Sequence, residues 1–437
     1  MSKFISTETQ AIIDNITSQS TPHEILSLWN VHREKLQGIR LLTQAEDYNS
    51  TLLPAKVRKN TFEGQSHAFM QEFYSNERLL VISNEILDAH SVSKTIALPI
   101  DYSLLLDSNY VGSIDLFIRG ESTGSNHAAL TKSIQYIRSN NINCDALPYL
   151  LENAEHATER MTDIKRTFAN FLRLTSAKPK HDQISTPDDL AFSISEKESI
   201  NEAERRLLSL YGNQNFIKHT IARQKMDFYI VLSMIHIEHF IKGTLEEKFS
   251  KFTQIMHMEI GRISLRDLAI AYKYFKNNNS IFILSNIKKS IMKTRNSIKT
   301  IRNISWDFHF FRLMETWASD TSRGAFFIPM FVTLDKRLAN LNEIYPIKYS
   351  VFHNAERIMY SAPQQQITEY IIDKKCKQIL ADYFDSISIE QRSKTPSPQQ
   401  AELDEKIKQK GLELDSLFIQ TDENNPFVSA PKSRHPD

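Results

Sequence analysis

The chain has few of the residues that tie small folds together. Its 437 residues include only two cysteines, Cys144 and Cys376, which lie far apart in the sequence. Two such cysteines form neither a disulfide framework nor a zinc site, and we therefore expect a reducing, cytoplasmic location. Glycine (10 residues) and proline (14 residues) are scarce as well. With abundant Lys, Glu, Ile and Leu, this scarcity favours a helix-rich protein over a β-sandwich or a β-barrel.

Long apolar runs are also missing. No run approaches the roughly 20 residues that a membrane-spanning helix needs, so we expect no membrane association. The segment from Met1 to Gln10 lacks a basic stretch followed by an apolar one, and no secretory signal is expected. The formal net charge is +1. Overall charge therefore indicates no partner, and affinity for nucleic acid has to come from a local surface.

The length predicts two or three domains, or one domain with large insertions. Shifts in composition and periodicity predict five regions, namely a mainly helical N-terminal region (1–95), the first part of an α/β core (96–175), an α-helical insertion (176–302), the second part of that core (303–390) and a disordered tail (391–437).

Two local patterns stand out at the ends of the chain. Thr21-Pro22-His23-Glu24 predicts the capped start of a helix, because threonine, proline and glutamate occupy the capping-box positions. In the tail, an apolar spacing predicts one amphipathic helix, which we interpret as a docking element for a protein partner or a second copy of the chain. The apolar positions are Leu403, Ile407, Leu414 and Leu417.

Two apolar runs each end in an isolated acid. The run from Phe326 to Leu334 precedes Asp335, and the run from Tyr102 to Leu106 precedes Asp107. Such runs predict buried strands. Because open α/β sheets carry their chemistry at the carboxyl ends of the strands, we expect both carboxylates at one sheet edge. There they would form a site for a hard divalent cation.

A third acid is predicted at the start of a helix. Ser305 is interpreted as a helix cap, which would place Asp307 in the first turn. Asp267, after Ser264, is a rival with the same pattern. We prefer Asp307 because only 28 residues (335 − 307) separate it from Asp335, against 68 (335 − 267) for Asp267. Glu315 is interpreted as an auxiliary ligand or as an ion-pair partner of Arg312.

A fourth acid follows the segment Tyr149-Leu150-Leu151. Glu152 is the first candidate, but Glu155 and Glu159 are predicted on the same helix at a spacing that allows one shared face. The identity of this acid therefore stays open between Glu152 and Glu155. Asp115 is interpreted as a solvated helix position.

These acids occur in motifs that resemble the four-acid pattern of PIN-domain nucleases. The motifs are Leu104-Leu105-Leu106-Asp107-Ser108-Asn109, Tyr149-Leu150-Leu151-Glu152, Trp306-Asp307 and Phe331-Val332-Thr333-Leu334-Asp335. The resemblance covers residues 100–345. It implies an α/β fold with a PIN-like three-layer core, a parallel sheet and, in this chain, a large α-helical insertion. The 155 residues (307 − 152) between Glu152 and Asp307 depart from compact members of the family.

The resemblance also implies an activity. Asp107, Glu152, Asp307 and Asp335 would hold Mg²⁺ or Mn²⁺ and hydrolyse phosphodiester bonds, in RNA more than in DNA. Asn109 and Thr333 would orient the carboxylates or bound water. Proteins with this pattern often act as toxins or as antiviral effectors against phage. A catalytically inert PIN-like scaffold or adaptor is the alternative, and the insertion and the tail favour it. A phosphatase of small substrates is less favoured because of the basic segment described next.

No acid occurs between Asp267 and Asp307. An apolar stripe through Ile287, Ile291, Ile298 and Ile301 predicts that the cations of this segment lie off the packed face. A positive surface of this kind indicates contact with a phosphate backbone. The predicted nucleic-acid-binding residues are Lys288, Lys289, Lys293, Arg295, Lys299 and Arg302.

Overall fold

The structure, a computed structural model, divides into two compact units. It describes residues 6–45, 53–72, 74, 78–92, 100–318, 326–338, 341–353, 358–396 and 398–419. Unit 1 comprises Met1–Ile217 and Phe310–Gln365, and unit 2 comprises Lys218–His309 and Gln366–Asp437. Unit 2 thus combines much of the region interpreted as a helical insertion with the region interpreted as a tail.

Unit 1 contains nine helices among its described residues, apart from two that contain a unit boundary. They are α1 (Thr7–Ser18), α2 (Pro22–Val31), α3 (Lys59–Ser66), α4 (Asn84–Val92), α5 (Ser108–Ile118), α6 (His127–Ser139), α7 (Leu147–Glu152), α8 (Ala157–Ser176) and α9 (Glu196–Gly212). The strands of the chain are β1 (Ile39–Gln44), β2 (Phe69–Glu72), β3 (Leu79–Ser83), β4 (Ile100–Leu106), β5 (Cys144–Asp145), β6 (Lys178–Pro179), β7 (Leu190–Ala191), β8 (Phe326–Thr333), β9 (Ile347–His353) and β10 (Ile358–Pro363).

Unit 2 contains helices, joined by turns and loops, and no strand among its described residues. Its helices are α11 (Leu245–Ile255), α12 (Leu265–Lys276), α13 (Ile287–Thr294), α15 (Ile367–Tyr370), α16 (Lys374–Tyr383), α17 (Ser386–Lys394) and α18 (Gln400–Phe418), and a π-helical turn spans Met256–Ile260. Helices α10 (Gln214–Phe240) and α14 (Ser297–Ala318) each contain a unit boundary.

The first sheet of unit 1 is antiparallel, with strand order β10-β9-β1-β3. Helices α1 and α2 pack against it through Ile13, Ile16 and Trp29, all fully buried. The capping box at Thr21 and Glu24 is confirmed at the start of α2. The N-terminal region, predicted to be mainly helical, also contains strand β1, which pairs with β3 along one edge and with β9 along the other.

The second sheet carries the strands that precede the two acids, in the order β2-β8-β4-β5. Strand β4 runs parallel to both β8 and β5, as predicted, whereas β2 runs antiparallel to β8. The sheet is therefore mixed, and the prediction of a parallel sheet is wrong at this edge strand. The fold is a mixed α/β architecture dominated by helices. All eight residues of β8 are buried. The ring of Phe310 in α14 stacks on that of Phe331 in β8, with 5.7 Å between the ring centroids.

The region predicted as a disordered tail contains the end of α17 and the whole of α18. Helix α18 buries three of the four predicted apolar positions, Leu403, Ile407 and Leu414, together with Phe418. The fourth, Leu417, is half-buried. The predicted amphipathic helix is therefore present. Its apolar face packs within unit 2, which makes the prediction of disorder wrong for residues 398–419. Residues 420–437 lie outside the described part of the chain. None of the helices that the structure describes has the length and apolarity needed to cross a membrane.

Candidate functional site

Strands β4 and β8 bring Asp107 and Asp335 to the same edge of the mixed sheet. Their parallel register pairs Leu106 with Val332. The ladder continues one residue further, where the Asp107 backbone N–H donates to the Val332 carbonyl at 2.9 Å. Asp335 follows the end of β8 by two residues. Two acids far apart in the sequence thus lie at one carboxyl edge, as the strand patterns predict.

Thr333 connects the two acids through its hydroxyl. Its Oγ1 donates to Asp107 Oδ2 at 2.8 Å and accepts from the Asp335 backbone N–H at 3.0 Å. Thr333 is completely buried and Asp107 is 2% exposed. A threonine hydroxyl with both its donor and its acceptor engaged holds one rotamer. This connection orients the Asp107 carboxylate and fixes the chain direction at Asp335.

The environment disfavours a charged Asp107. Burial raises the pKa of its carboxyl to about 6, and the carboxylate of Asp335 adds to the rise. The Thr333 hydroxyl and the backbone of Asn109 act in the opposite direction by hydrogen bonding. Removal from water and a neighbouring like charge both favour the protonated form of a carboxyl. A cation beside the two acids would relieve both effects.

Arg337 lies directly against Asp335. Its guanidinium makes a two-pronged contact, with Nε 3.0 Å from both carboxylate oxygens and Nη2 2.6 Å from Oδ2. The side chain of Asp335 is 20% exposed and that of Arg337 is 52% exposed. Arginine pairs with a carboxylate best in this geometry. The pairing was not predicted from the sequence, although the two-residue separation in Asp335-Lys336-Arg337 is its local signal.

Glu152, Glu155 and Glu159 do not share one helix. Glu152 is the last residue of α7, Glu155 lies in the 3-10 turn Ala154–His156, and Glu159 lies in the first turn of α8. The prediction of a common helical face is therefore wrong, because the helix is interrupted at Asn153. Glu152 and Glu155 are half-buried, whereas Glu159 is exposed.

Asp307 lies in the interior of α14 and not in its first turn. The helix begins at Ser297, and the Ser305 hydroxyl donates to the Arg302 carbonyl at 2.6 Å instead of capping a helix. The predicted cap at Ser305 is therefore wrong. Asn296 serves in its place, since its Oδ1 accepts from the Lys299 backbone N–H at 2.8 Å.

The remaining third-acid candidates divide between the units. Asp307 and Asp267 belong to unit 2, whereas Glu315 belongs to unit 1. Asp267 does sit in a capped first turn, because Ser264 Oγ accepts from its backbone N–H at 3.2 Å. The structure thus places Asp107 and Asp335 at one strand edge, connected through Thr333. Within the described ranges, no three or more His, Cys, Asp or Glu side chains are grouped to hold one metal ion.

Asp115 is buried, and the prediction of a solvated position is wrong. It is 4% exposed and accepts from Asn170 Nδ2 at 2.7 Å. Arg119 Nη2 lies 3.1 Å from its carboxylate. These partners join α5 to α8, so Asp115 has a structural role in unit 1. The side chain of Asn109, predicted to orient a carboxylate or water, is exposed on α5.

The predicted nucleic-acid-binding residues lie on unit 2. Lys288, Lys289 and Lys293 are on α13, Arg295 follows α13, and Lys299 is in the first turn of α14. These five residues are exposed. The sixth predicted residue, Arg302 of α14, is half-buried.

Comparisons of the chain with protein-family models, with curated proteins and with solved structures found no match in any of the three.

Proposed function

We propose that unit 1 is a divalent-metal-dependent hydrolase of phosphodiester bonds in nucleic acid, centred on Asp107 and Asp335. The observation that carries the proposal is the pair itself. A buried carboxylate with a raised pKa lies beside a second acid at the carboxyl edge of parallel strands. Strongly perturbed carboxyl groups of this kind concentrate at functional sites.

The residues fit Mg²⁺ or Mn²⁺. Both ions prefer oxygen ligands, and Mg²⁺ is usually held by one or two carboxylates, with water and substrate phosphates completing its shell. Asp107 and Asp335 would supply the carboxylates, and the Thr333 hydroxyl would keep Asp107 aligned. A bound divalent ion supplies an activated water and stabilises the departing oxygen. Glu152, also in unit 1, stays in the proposal as a further acid suggested by the PIN-like pattern.

Arg337 has a place in the same proposal. Its guanidinium neutralises Asp335 in the present arrangement. An arginine that leaves a carboxylate for an incoming phosphate keeps two parallel hydrogen bonds in either state. Substrate binding would then release Asp335 for the cation. RNA is the preferred substrate, in keeping with the PIN-like motifs, and toxicity or phage defence is the corresponding cytoplasmic role.

The decisive experiment compares carboxylate variants. Asp107→Asn and Asp335→Asn should each abolish Mn²⁺-dependent cleavage of single-stranded RNA and DNA by the full chain. Asp182→Asn, which changes an exposed acid of unit 1, should cleave like the wild type. Circular dichroism and thermal melting establish that each variant is folded. Wild-type cleavage rates in both site variants would refute the proposal.

An inert scaffold is the second candidate, and the Arg337–Asp335 contact favours it. A carboxylate already paired with a guanidinium needs no cation. Calorimetric titration with Mn²⁺ separates the two functions. The hydrolase should bind Mn²⁺ and lose that binding in Asp107→Asn, whereas the scaffold should bind no Mn²⁺ and cleave neither nucleic acid.

A further inference from the structure

Five exposed cations of unit 2 lie close together in the sequence, from the first turn of α13 to the first turn of α14. We call this surface the basic corner, because it follows α13, turns at Arg295 and continues into the first turn of α14. Arg295 makes the turn in a left-handed conformation, with φ of +50°. Lys289 and Lys293 are four residues apart on α13, which separates them by about 6 Å along the helix axis. The basic corner consists of Lys288, Lys289, Lys293, Arg295 and Lys299.

The apolar side of these helices is used for packing. Ile287, Ile291 and Ile301 are buried to within 3%. Since the apolar residues face the interior of unit 2, the lysines between them are directed to solvent. The basic corner is therefore a charged surface with no exposed apolar face of its own on α13. A helix that lies in a membrane interface needs such a face, which argues against a lipid surface as its partner.

Other lysines of unit 2 sit beside acids. Lys225 pairs with Asp404 at 2.9 Å, and Lys248 pairs with Glu238 at 2.9 Å. Lys406 contacts two glutamates.

The basic corner differs from this pattern. Among the described residues, the side chains of Lys289, Lys293 and Lys299 form no ion pair. No Asp or Glu occurs from residue 268 to residue 306. No acid within this segment of the sequence therefore compensates the charge of these three lysines.

A carboxylate of unit 2 already lies at the basic corner. Asp415 of α18 accepts a hydrogen bond from the Ser297 backbone N–H at 2.8 Å. Ser297 is the first residue of α14, between Arg295 and Lys299. The start of a helix attracts negative charge. Asp415 thus shows that this position accommodates an anionic oxygen, and it reduces the net positive charge of the corner.

We propose that the basic corner binds the phosphate backbone of nucleic acid, without reading its sequence and without a metal ion. The inference rests on the proposed function in taking nucleic acid as the polyanion. It assigns binding of that substrate to unit 2. Closely spaced, unpaired lysines attract phosphates by releasing counterions from the strand. Removal of lysines weakens this binding, and removal of Asp415 strengthens it.

The experiment measures binding of a fluorescent single-stranded RNA to the full chain in EDTA over a series of salt concentrations. The test variant is Lys289→Gln/Lys293→Gln/Lys299→Gln. The control is Lys374→Gln/Lys375→Gln/Lys394→Gln, which removes the same number of charges from other exposed positions of unit 2. The test variant should bind at least tenfold more weakly, and its salt slope should fall by about 2. The control should stay within about twofold of the wild type.

A second pair of variants tests the opposite direction. Asp415→Asn keeps an oxygen acceptor for Ser297 and should tighten RNA binding several-fold. Glu413→Gln removes the same charge from α18 at a position paired with His236, and it should change the affinity little.

Several outcomes would overturn the inference. Equal losses in the two lysine triples, weaker binding by Asp415→Asn, or binding to anionic vesicles but not to RNA would each do so, as would the absence of RNA binding by the wild type. Binding of RNA in EDTA without any cleavage in Mn²⁺ would refute the proposed hydrolase. It would not refute the proposed RNA binding by the basic corner. Cleavage and binding by the lysine triple at wild-type levels would refute the basic corner alone.

Discussion

The hydroxyl of Thr333 donates a 2.8 Å hydrogen bond to the carboxylate of Asp107, from a position 226 residues further along the chain. The bond crosses two neighbouring parallel strands at the edge where both end. It shows that the ends of β4 and β8 lie side by side. The Asp107 carboxylate is thereby held in one orientation before any ligand binds.

Thr333→Val removes this hydroxyl while keeping the side-chain shape. We expect a loss of about 1–3 kcal/mol in the free energy of unfolding, because a buried carboxylate loses its donor. Mn²⁺ affinity should fall as well. Thr131→Val is the matched control, since that hydroxyl donates within its own helix, to the carbonyls of His127 at 3.0 Å and Ala128 at 3.3 Å. Chemical denaturation and calorimetry measure both effects, and equal losses in the two variants would contradict this role of Thr333.

Stability and metal binding should respond to pH in opposite directions. Asp107 has a pKa of about 6 in the folded chain and about 4 when unfolded. The folded state therefore holds an extra proton between these values. Its contribution to stability is complete below about pH 4 and is lost as the pH rises through 6.

The proposed metal, in contrast, would bind the ionised carboxylate. Mn²⁺ affinity should be about tenfold weaker at pH 5 than at pH 7. Melting temperatures from pH 4 to 7 and calorimetry at the two pH values provide the measurements. In Asp107→Asn the melting temperature should depend less on pH. A wild-type Mn²⁺ affinity that stays constant from pH 5 to 7 would argue against Asp107 as a ligand.

Arg337→Gln should free Asp335. Without the guanidinium, Asp335 has no fixed cation beside it, and Mn²⁺ affinity should rise several-fold, by about 1 kcal/mol. Cleavage should fall if Arg337 transfers to a substrate phosphate. Lys336→Gln removes the same charge from the exposed neighbour and should leave Mn²⁺ affinity near the wild-type value. Weaker Mn²⁺ binding in Arg337→Gln than in Lys336→Gln would show that the contact supports the site.

Gly411→Ala should destabilise unit 2. A methyl group at this position of α18 would overlap Ile298 of α14, which approaches the glycine closely. The Ser297 hydroxyl also donates to the Gly411 carbonyl at 2.9 Å. We expect a cost of about 1–3 kcal/mol. Gly112→Ala, at a helical glycine of α5 with open space around it, should be neutral or stabilising by up to about 1 kcal/mol. A cost at Gly112 equal to that at Gly411 would contradict close packing of α18.

The features predicted correctly depend on patterns within a few residues. The apolar runs before Asp107 and Asp335 are short and uninterrupted, and each forms the strand they indicate. The capping box at Thr21 is equally local. The incorrect predictions depend on more distant residues. Asp115 is buried because Asn170, 55 residues away, donates to it.

The predicted cap at Ser305 failed for another reason. Serine is a common helix cap, but α14 had already begun at Ser297 after its cap at Asn296. A residue type alone does not reveal which of two capping positions starts a helix. The antiparallel strand β2 was missed because its partner β8 lies more than 250 residues away, beyond the range of any local pattern.

The pairing of β4 with β8 also determines when, during synthesis of the chain, the two carboxylates can come together. During synthesis β4 leaves the ribosome long before β8, and domains generally fold as units once they are complete. Neither Thr333 nor Asp335 is available to Asp107 until more than 220 further residues have been made. A polypeptide released before that point lacks the carboxylate pair, whatever the state of its helices. The carboxylate pair of the proposed site can therefore form only late in synthesis, once both strands have been made.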